Sequence, residues 1–298
     1  MLGQRFYHCC FGVMLLAAGL AAHGAELVSD AALDEVAVRP PPRSINDIAR
    51  MLADYRQHDD LLRKLRGIAE APVPVTTDRR VLFDFYWKRG QAAGELGQVP
   101  QQISDLRLAV EYGQTGSPEF ARAMRALAMA ERLGGNFTSA QYYAAEAIKH
   151  VPQTSQGQLT ASYAQMVGLA AQVGDFEAAQ QNLLKLESLL VSLRSGRGWR
   201  TWSHFWLSSF EKARGDYFWM AGKMIEAEGA YRKSLRENQL AVADLPALVA
   251  AGRDAPTLEN MQQGSEGVER GLAMVLLAQG KLVEAEAMAR TALEHTLK

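Results

Sequence analysis

GKMIEAEGAYRKSLREN (Gly222–Asn238) has a near copy in GKLVEAEAMARTALEH (Gly280–His295). Each opens on glycine and reaches alanine five residues later, at Ala227 and Ala285; a small residue follows seven further on, at Ser234 and Ala292. A repeat of this kind decides the fold class before any single element does. Stacked copies bury a face that no copy can bury alone. Three earlier segments fall into the same register: GQVPQQISDLRLAVEY from Gly97, GNFTSAQYYAAEAIKHVP from Gly135 and GDFEAAQQNLLKLESLL from Gly174. Ala140 and Ala179 take the alanine place, with Gln102 the exception; Ala109 and Ala147 take the later small place, with Leu186 the departure. Seven residues before the glycines stand Gly90, Ala128, Gly215 and Ala273, with Val167 out of line.

The physical reading is a helix, a turn and a second helix. Gly97, Gly135, Gly174, Gly222 and Gly280 can take the left-handed conformation that ends the first helix. Small residues in both helices let the backbones approach closely. Val99, Phe137, Phe176, Met224 and Leu282, two after each glycine, are expected to plug the turn. The pattern resembles the tetratricopeptide (TPR) repeat over residues 78–298. That resemblance implies an all-α fold, a right-handed superhelical solenoid of about five helix-turn-helix repeats.

Glycine-to-glycine intervals of 38, 39, 48 and 58 residues exceed the family's usual period of about 34. Longer helices absorb most of the excess, and the last two intervals imply longer connections. ADLPALVAAGRDAPTLEN (Ala243–Asn260), with Pro246 and Pro256, reads as a loop between repeats.

Upstream, CCFGVMLLAAGLAA (Cys9–Ala22) is an uninterrupted apolar run followed by the small residues Ala22 and Gly24. This reads as a signal peptide over residues 1–24, shorter than the roughly 20 apolar residues that span a bilayer. The mature protein is expected to be exported, periplasmic or secreted, without a membrane span. Both cysteines lie in the leader, so the mature chain is held without disulfides. Residues 25–43 form a disordered, proline-rich linker, and residues 44–77 a short helical pair with its own linker. That order of segments resembles the N-terminal half of bacterial exported proteins in which a TPR array precedes a caspase-like CHAT peptidase domain. The resemblance implies an abbreviated family member whose peptidase domain is absent from this chain.

Removing Arg5 with the leader shifts the net charge from −1 to −2, and no basic tail stands out. Nucleic acid is therefore a poor ligand. His58, His150, His204 and His295 lack the close spacing of metal ligands, and no phosphate loop or nucleophile elbow appears. No cofactor, metal site or catalytic group is indicated. The chain reads as a non-enzyme that binds a protein or peptide.

GRGWRTWSHFW (Gly196–Trp206) poses the sharpest choice, between a ligand platform of aromatics and guanidinium groups and a packed helix. Trp199, Trp202, Trp206 and Phe210 follow steps of three and four, one stripe of a long first helix, and core packing is the expected role. The TPR resemblance places the binding groove on the first helices, at Trp87, Arg125, Ala164, Lys212 and Arg270, with Arg122 one turn from Arg125. The basic residues there are expected as exposed charges suited to an acidic peptide or a C-terminal carboxylate. The carboxylate clamp of some family members needs asparagines where this chain has Gln91, Met129, Gly168, Asp216 and Met274, so that clamp is absent.

Overall fold

The computed structural model describes residues 46, 48, 49, 59–152 and 155–296. The expected signal peptide, the proline-rich linker and most of the first helix of the short pair lie outside these residues. Asn46, Ile48 and Ala49 are helical. The described helices belong to one compact unit, Pro40–Lys298.

Eleven helices and no strand occur among the described residues. Helix α1 is Asp59–Ala69. Five pairs follow: α2 (Arg79–Glu95) with α3 (Val99–Tyr112), α4 (Pro118–Leu133) with α5 (Phe137–His150), and α6 (Gln156–Gln172) with α7 (Phe176–Leu193). The last two are α8 (Trp199–Met220) with α9 (Met224–Ala250), and α10 (Leu258–Ala278) with α11 (Leu282–Thr296). Each pair packs on the next, so the chain is an α-α solenoid of TPR-like repeats.

The glycines act through their backbone. Gly97, Gly135, Gly174, Gly222 and Gly280 have φ between 70° and 82°. At each, two hydrogen bonds close the helix before it. In the fourth pair Gly222 N–H donates to Trp219 O at 3.1 Å, and Lys223 N–H to Phe218 O at 2.8 Å. This doubly bonded cap satisfies carbonyls that the helix end leaves open. Replacing Gly174 or Gly222 with valine is expected to destabilise the protein by about 1–3 kcal/mol, because a β-branched residue is strained at positive φ. A denaturant titration checks it.

Beyond each turn the small residues seal the pair. Ala140, Ala179 and Ala227 are fully buried, as are Ala109, Ala147 and Ser234. Gly215 and Gly271 clasp the buried Tyr231: a Cβ on either would lie 2.5 Å or 2.7 Å from its ring. The ring fits only because both helices lack a side chain there. The turn plugs are less uniform. Phe176 packs edge-on against Tyr217, whereas Leu282 is 63% exposed.

Two buried carboxylates bind neighbouring elements together. Asp105 on α3 accepts from Arg89 of α2, and Glu131 on α4 accepts from Arg107 of α3 at 2.6 and 2.9 Å. Asn136 Nδ2 donates to the other Glu131 oxygen at 2.8 Å, so this side chain holds a repeat turn.

The long intervals are filled mostly by helix, and the loop read at 243–260 is confined to residues 251–257. Helices α8, α9 and α10 run to 22, 27 and 21 residues, and α9 continues through Pro246 to Ala250. A proline deprives the carbonyl four residues back, Val242, of its donor. Val242 and Pro246 are both exposed, so water can serve that carbonyl. Helix α9 then ends at Gly252, whose φ of 63° repeats the cap of the other glycines. Gly198 likewise precedes α8 as its N-cap, while Arg194 caps α7.

Candidate functional site

One helical face of each first helix turns toward the groove. On α4 that face carries Arg122, Arg125, Ala126 and Met129, spaced by three, four and seven from the first. On α6 it carries Gln158, Ala161, Gln165 and Gly168, and the small residues leave room on the groove floor. On α8 it carries Trp202, Phe205, Ser209, Lys212 and Asp216.

These faces enclose three adjoining cavities. The first, of about 390 Å³, joins Trp87 and Gln91 of α2 to Arg122, Arg125 and Gln165. A second, of about 940 Å³, shares Arg122 and Arg125 and extends to Arg197, Trp199, Trp202 and Trp206. The third, of about 420 Å³, shares Met129 and Gln165 with the first and reaches Lys212 and Asp216. Ala161 lines all three, so they form one groove.

Trp87, Arg122, Arg125 and Lys212 therefore meet in one place. Arg270 does not. It is exposed on α10 and lines none of the three cavities. The charges also differ from the exposed set that the sequence suggests. Arg122 is exposed, but Arg125 is half-buried. The Nη1 of Arg125 is shielded from solvent and has no hydrogen-bond partner among the described residues. Burial pushes its guanidinium below the usual pKa, and the nearby Arg122 charge adds to the effect. Arginine stays protonated regardless, so an uncompensated charge faces the groove.

Lys212 is already compensated. Its Nζ donates to Asp216 Oδ2 at 2.7 Å, and the Tyr231 hydroxyl donates to the other Asp216 oxygen at 2.8 Å. Burial, with the Asp216 charge, raises the Tyr231 pKa, so the phenol stays neutral and keeps its proton in that bond. This network braces α8 against α9 and leaves little of the Lys212 charge for a ligand.

The tryptophan stripe is core on one side and cavity wall on the other. Trp206 is 7% exposed and packs with Leu190 and Leu193. Trp199 and Trp202 are half-buried. Trp202 stacks on Trp206 with ring centroids 6.4 Å apart, and all three tryptophans line the largest of the cavities. Sequence reasoning also missed Gln158 and Gln165, because a glutamine on a helix face carries no signal of its own.

The architecture has solved counterparts. A tetratricopeptide repeat protein from Parabacteroides merdae matches with a TM-score of 0.51, over 87% of this chain and 82% of that one. The fold is that of a tetratricopeptide-type solenoid. At 14% sequence identity the likeness is one of fold. BtubC (BKLC) from P. vanneervenii matches with a TM-score of 0.46, also at 14% identity, over 84% of this chain and 91% of that one. No family model matches the sequence, and no curated protein matches it either. Among the described residues no helix is long and apolar enough to cross a membrane, and no group of three or more His, Cys, Asp or Glu could hold a metal ion.

Proposed function

We propose that this chain is a non-catalytic, exported scaffold that binds a protein or peptide segment along its concave groove. One observation carries the reading: first helices of successive repeats pool their inner faces into a continuous groove that contains Arg125 Nη1, unpartnered among the described residues. A groove preformed by packed helices lowers the ordering cost of binding. Arginine is suited to a carboxylate in such a place, which favours an acidic partner. Export rests on the apolar leader, and N-terminal sequencing of the exported protein is expected to begin at Ala25 or Glu26. The order of segments favours a second reading, in which the groove recruits substrate for, or regulates, a CHAT peptidase.

A photo-crosslinking residue at Gln91, which lines the groove, is expected to trap a partner in envelope fractions. The same residue at Leu184, exposed on a second helix, is expected to trap none. Arg122→Glu is expected to weaken the captured complex about tenfold or more while leaving the melting temperature nearly unchanged, since exposed charges contribute little to stability. Equal crosslinking from the two positions would remove the groove from the account.

A further inference from the structure

The cavity of about 940 Å³ differs from the rest of the groove in what its wall leaves unsatisfied. Among the described residues, Arg122, Arg125 and Arg197 line it against a single acid, Asp254. Nη1 of Arg125 is out of water and without a partner among the described residues, which is costly for a charged donor. Arg122, one helical turn away, is a like charge that no acid in the cavity pairs by hydrogen bond among the described residues. One carboxylate seated between the two would relieve both conditions.

An acceptor is stranded there too, Gln158 Oε1, and a second, Gln165 Oε1, lies in the two adjoining cavities; both are buried without partners among the described residues. Gln165 Nε2 donates to the Arg125 carbonyl at 3.1 Å, which fixes which end of that amide is the oxygen. An occupant must therefore bring N–H or O–H donors as well as negative charge. A bare phosphate or sulfate dianion brings acceptors alone. A peptide brings both, a side-chain carboxylate and backbone N–H groups.

The aromatic wall supplies the third condition. Trp206 is held from behind by Leu190 and Leu193, and Cβ-free Gly157 and Gly198 crowd its ring. A Cβ on those glycines would lie 3.3 Å from Nε1 and 3.4 Å from Cη2 of that indole. On that fixed base Trp202 is stacked and Trp199 tilted, both only half-buried. Aromatic rings so presented favour an aromatic side chain in offset or edge contact.

We infer that this cavity is the specificity pocket of the groove, and that it takes an acidic side chain of the partner segment, between Arg122 and Arg125, together with a neighbouring aromatic side chain against Trp199 and Trp202. The inference deepens the groove reading and rests on it. The ligand is an internal acidic-aromatic segment, so a free C-terminal carboxylate is not required.

The test follows tryptophan emission of the mature chain during titration with acetyl-Glu-Phe-Asp-Glu-Phe-Glu-amide. Its controls are the same peptide with amides in place of acids, the same peptide with alanine in place of phenylalanine, and oligogalacturonate. The acidic-aromatic peptide is expected to bind about tenfold or more tightly than either control peptide, and more tightly than the glycan. Arg125→Gln and Trp202→Leu are each expected to weaken it about tenfold, while Arg270→Gln leaves it unchanged. Should Arg125→Gln fail to fold, Arg122→Gln, at an exposed position, carries the charge arm. Equal affinity for all three peptides overturns the inference, and so does tighter binding of oligogalacturonate. Sensitivity to Lys212→Gln with indifference to Arg125→Gln and Trp202→Leu also overturns it, but leaves the groove reading standing. Absence of peptide binding sinks the pocket while the Gln91 crosslink persists; loss of that crosslink as well sinks the groove itself.

Discussion

Trp206→Ala is expected to lower the stability of the protein by about 3–5 kcal/mol, the range for deleting a large buried aromatic side chain. The side chain is 7% exposed, and its removal opens a void against Leu190 and Leu193 of α7, which are 4% and 3% exposed. Gly157 and Gly198 cannot fill that void, because neither has side-chain atoms to move into it. Trp202 would lose its stacking partner as well. Trp202→Ala should cost less, about 1–2 kcal/mol, since its indole is half-buried and less apolar area is lost. In partner binding the order reverses: the Trp202 variant loses affinity while it remains folded. Denaturant titrations of both variants beside a binding measurement decide the matter. Equal stability losses would mean that the stripe is core along its whole length and that the cavity wall has no open indole.

That reversal marks where sequence and structure part company. The turns were legible because their chemistry is local. Glycine at Gly97, Gly135, Gly174, Gly222 and Gly280 answers a φ of 70–82°, and alanine or serine beyond it answers a close helix contact. Both requirements act within one repeat, so they recur wherever the repeat does. Pro246 misled for the same reason in reverse: its local preference is for a break, but an exposed last stretch of helix tolerates it.

The groove was less legible because it is made between repeats. The TPR resemblance places Arg125, Lys212 and Arg270 alike on first helices, yet their surroundings come from neighbouring helices. Arg125 is covered by its neighbours, Lys212 is claimed by Asp216, and Arg270 lies outside the three cavities. The choice posed by GRGWRTWSHFW was also framed too sharply. A helix in a solenoid has a packed side and a groove side, and a stripe of three tryptophans is broad enough to reach both.

Arg89→Ala is expected to be the other severe substitution, again by about 3–5 kcal/mol, because it strands a buried carboxylate. Asp105 is 1% exposed and takes the arginine as a fork: Nε donates to Oδ2 at 2.9 Å and Nη2 to Oδ1 at 2.6 Å. The hydrogen bonds to Asp105 raise the Arg89 pKa against the lowering effect of burial, so the guanidinium keeps its charge. The remaining nitrogen, Nη1, donates to the Ala71 carbonyl at 3.2 Å, and Gln101 Nε2 donates to the Ala69 carbonyl at 2.7 Å. The guanidinium also lies over the Phe85 and Tyr86 rings, 4.9 and 5.2 Å from their centroids. Arg89 thus joins the segment after α1 to α2 and α3, while Gln101 ties in the end of α1. Lysine cannot replace it, since a single ammonium reproduces neither the fork nor the stacking. The cost of Arg89→Ala comes mainly from the charge left behind, so removing that charge as well should return most of the stability. Arg89→Met with Asp105→Leu is accordingly expected to be more stable than Arg89→Ala alone, as replacement of buried ion pairs by apolar side chains often is. A double-mutant cycle by thermal and denaturant unfolding measures the coupling. If the double variant is instead the sum of its parts, the two side chains act separately, and the start of the array is held by apolar packing of α2 against α3 rather than by this pair.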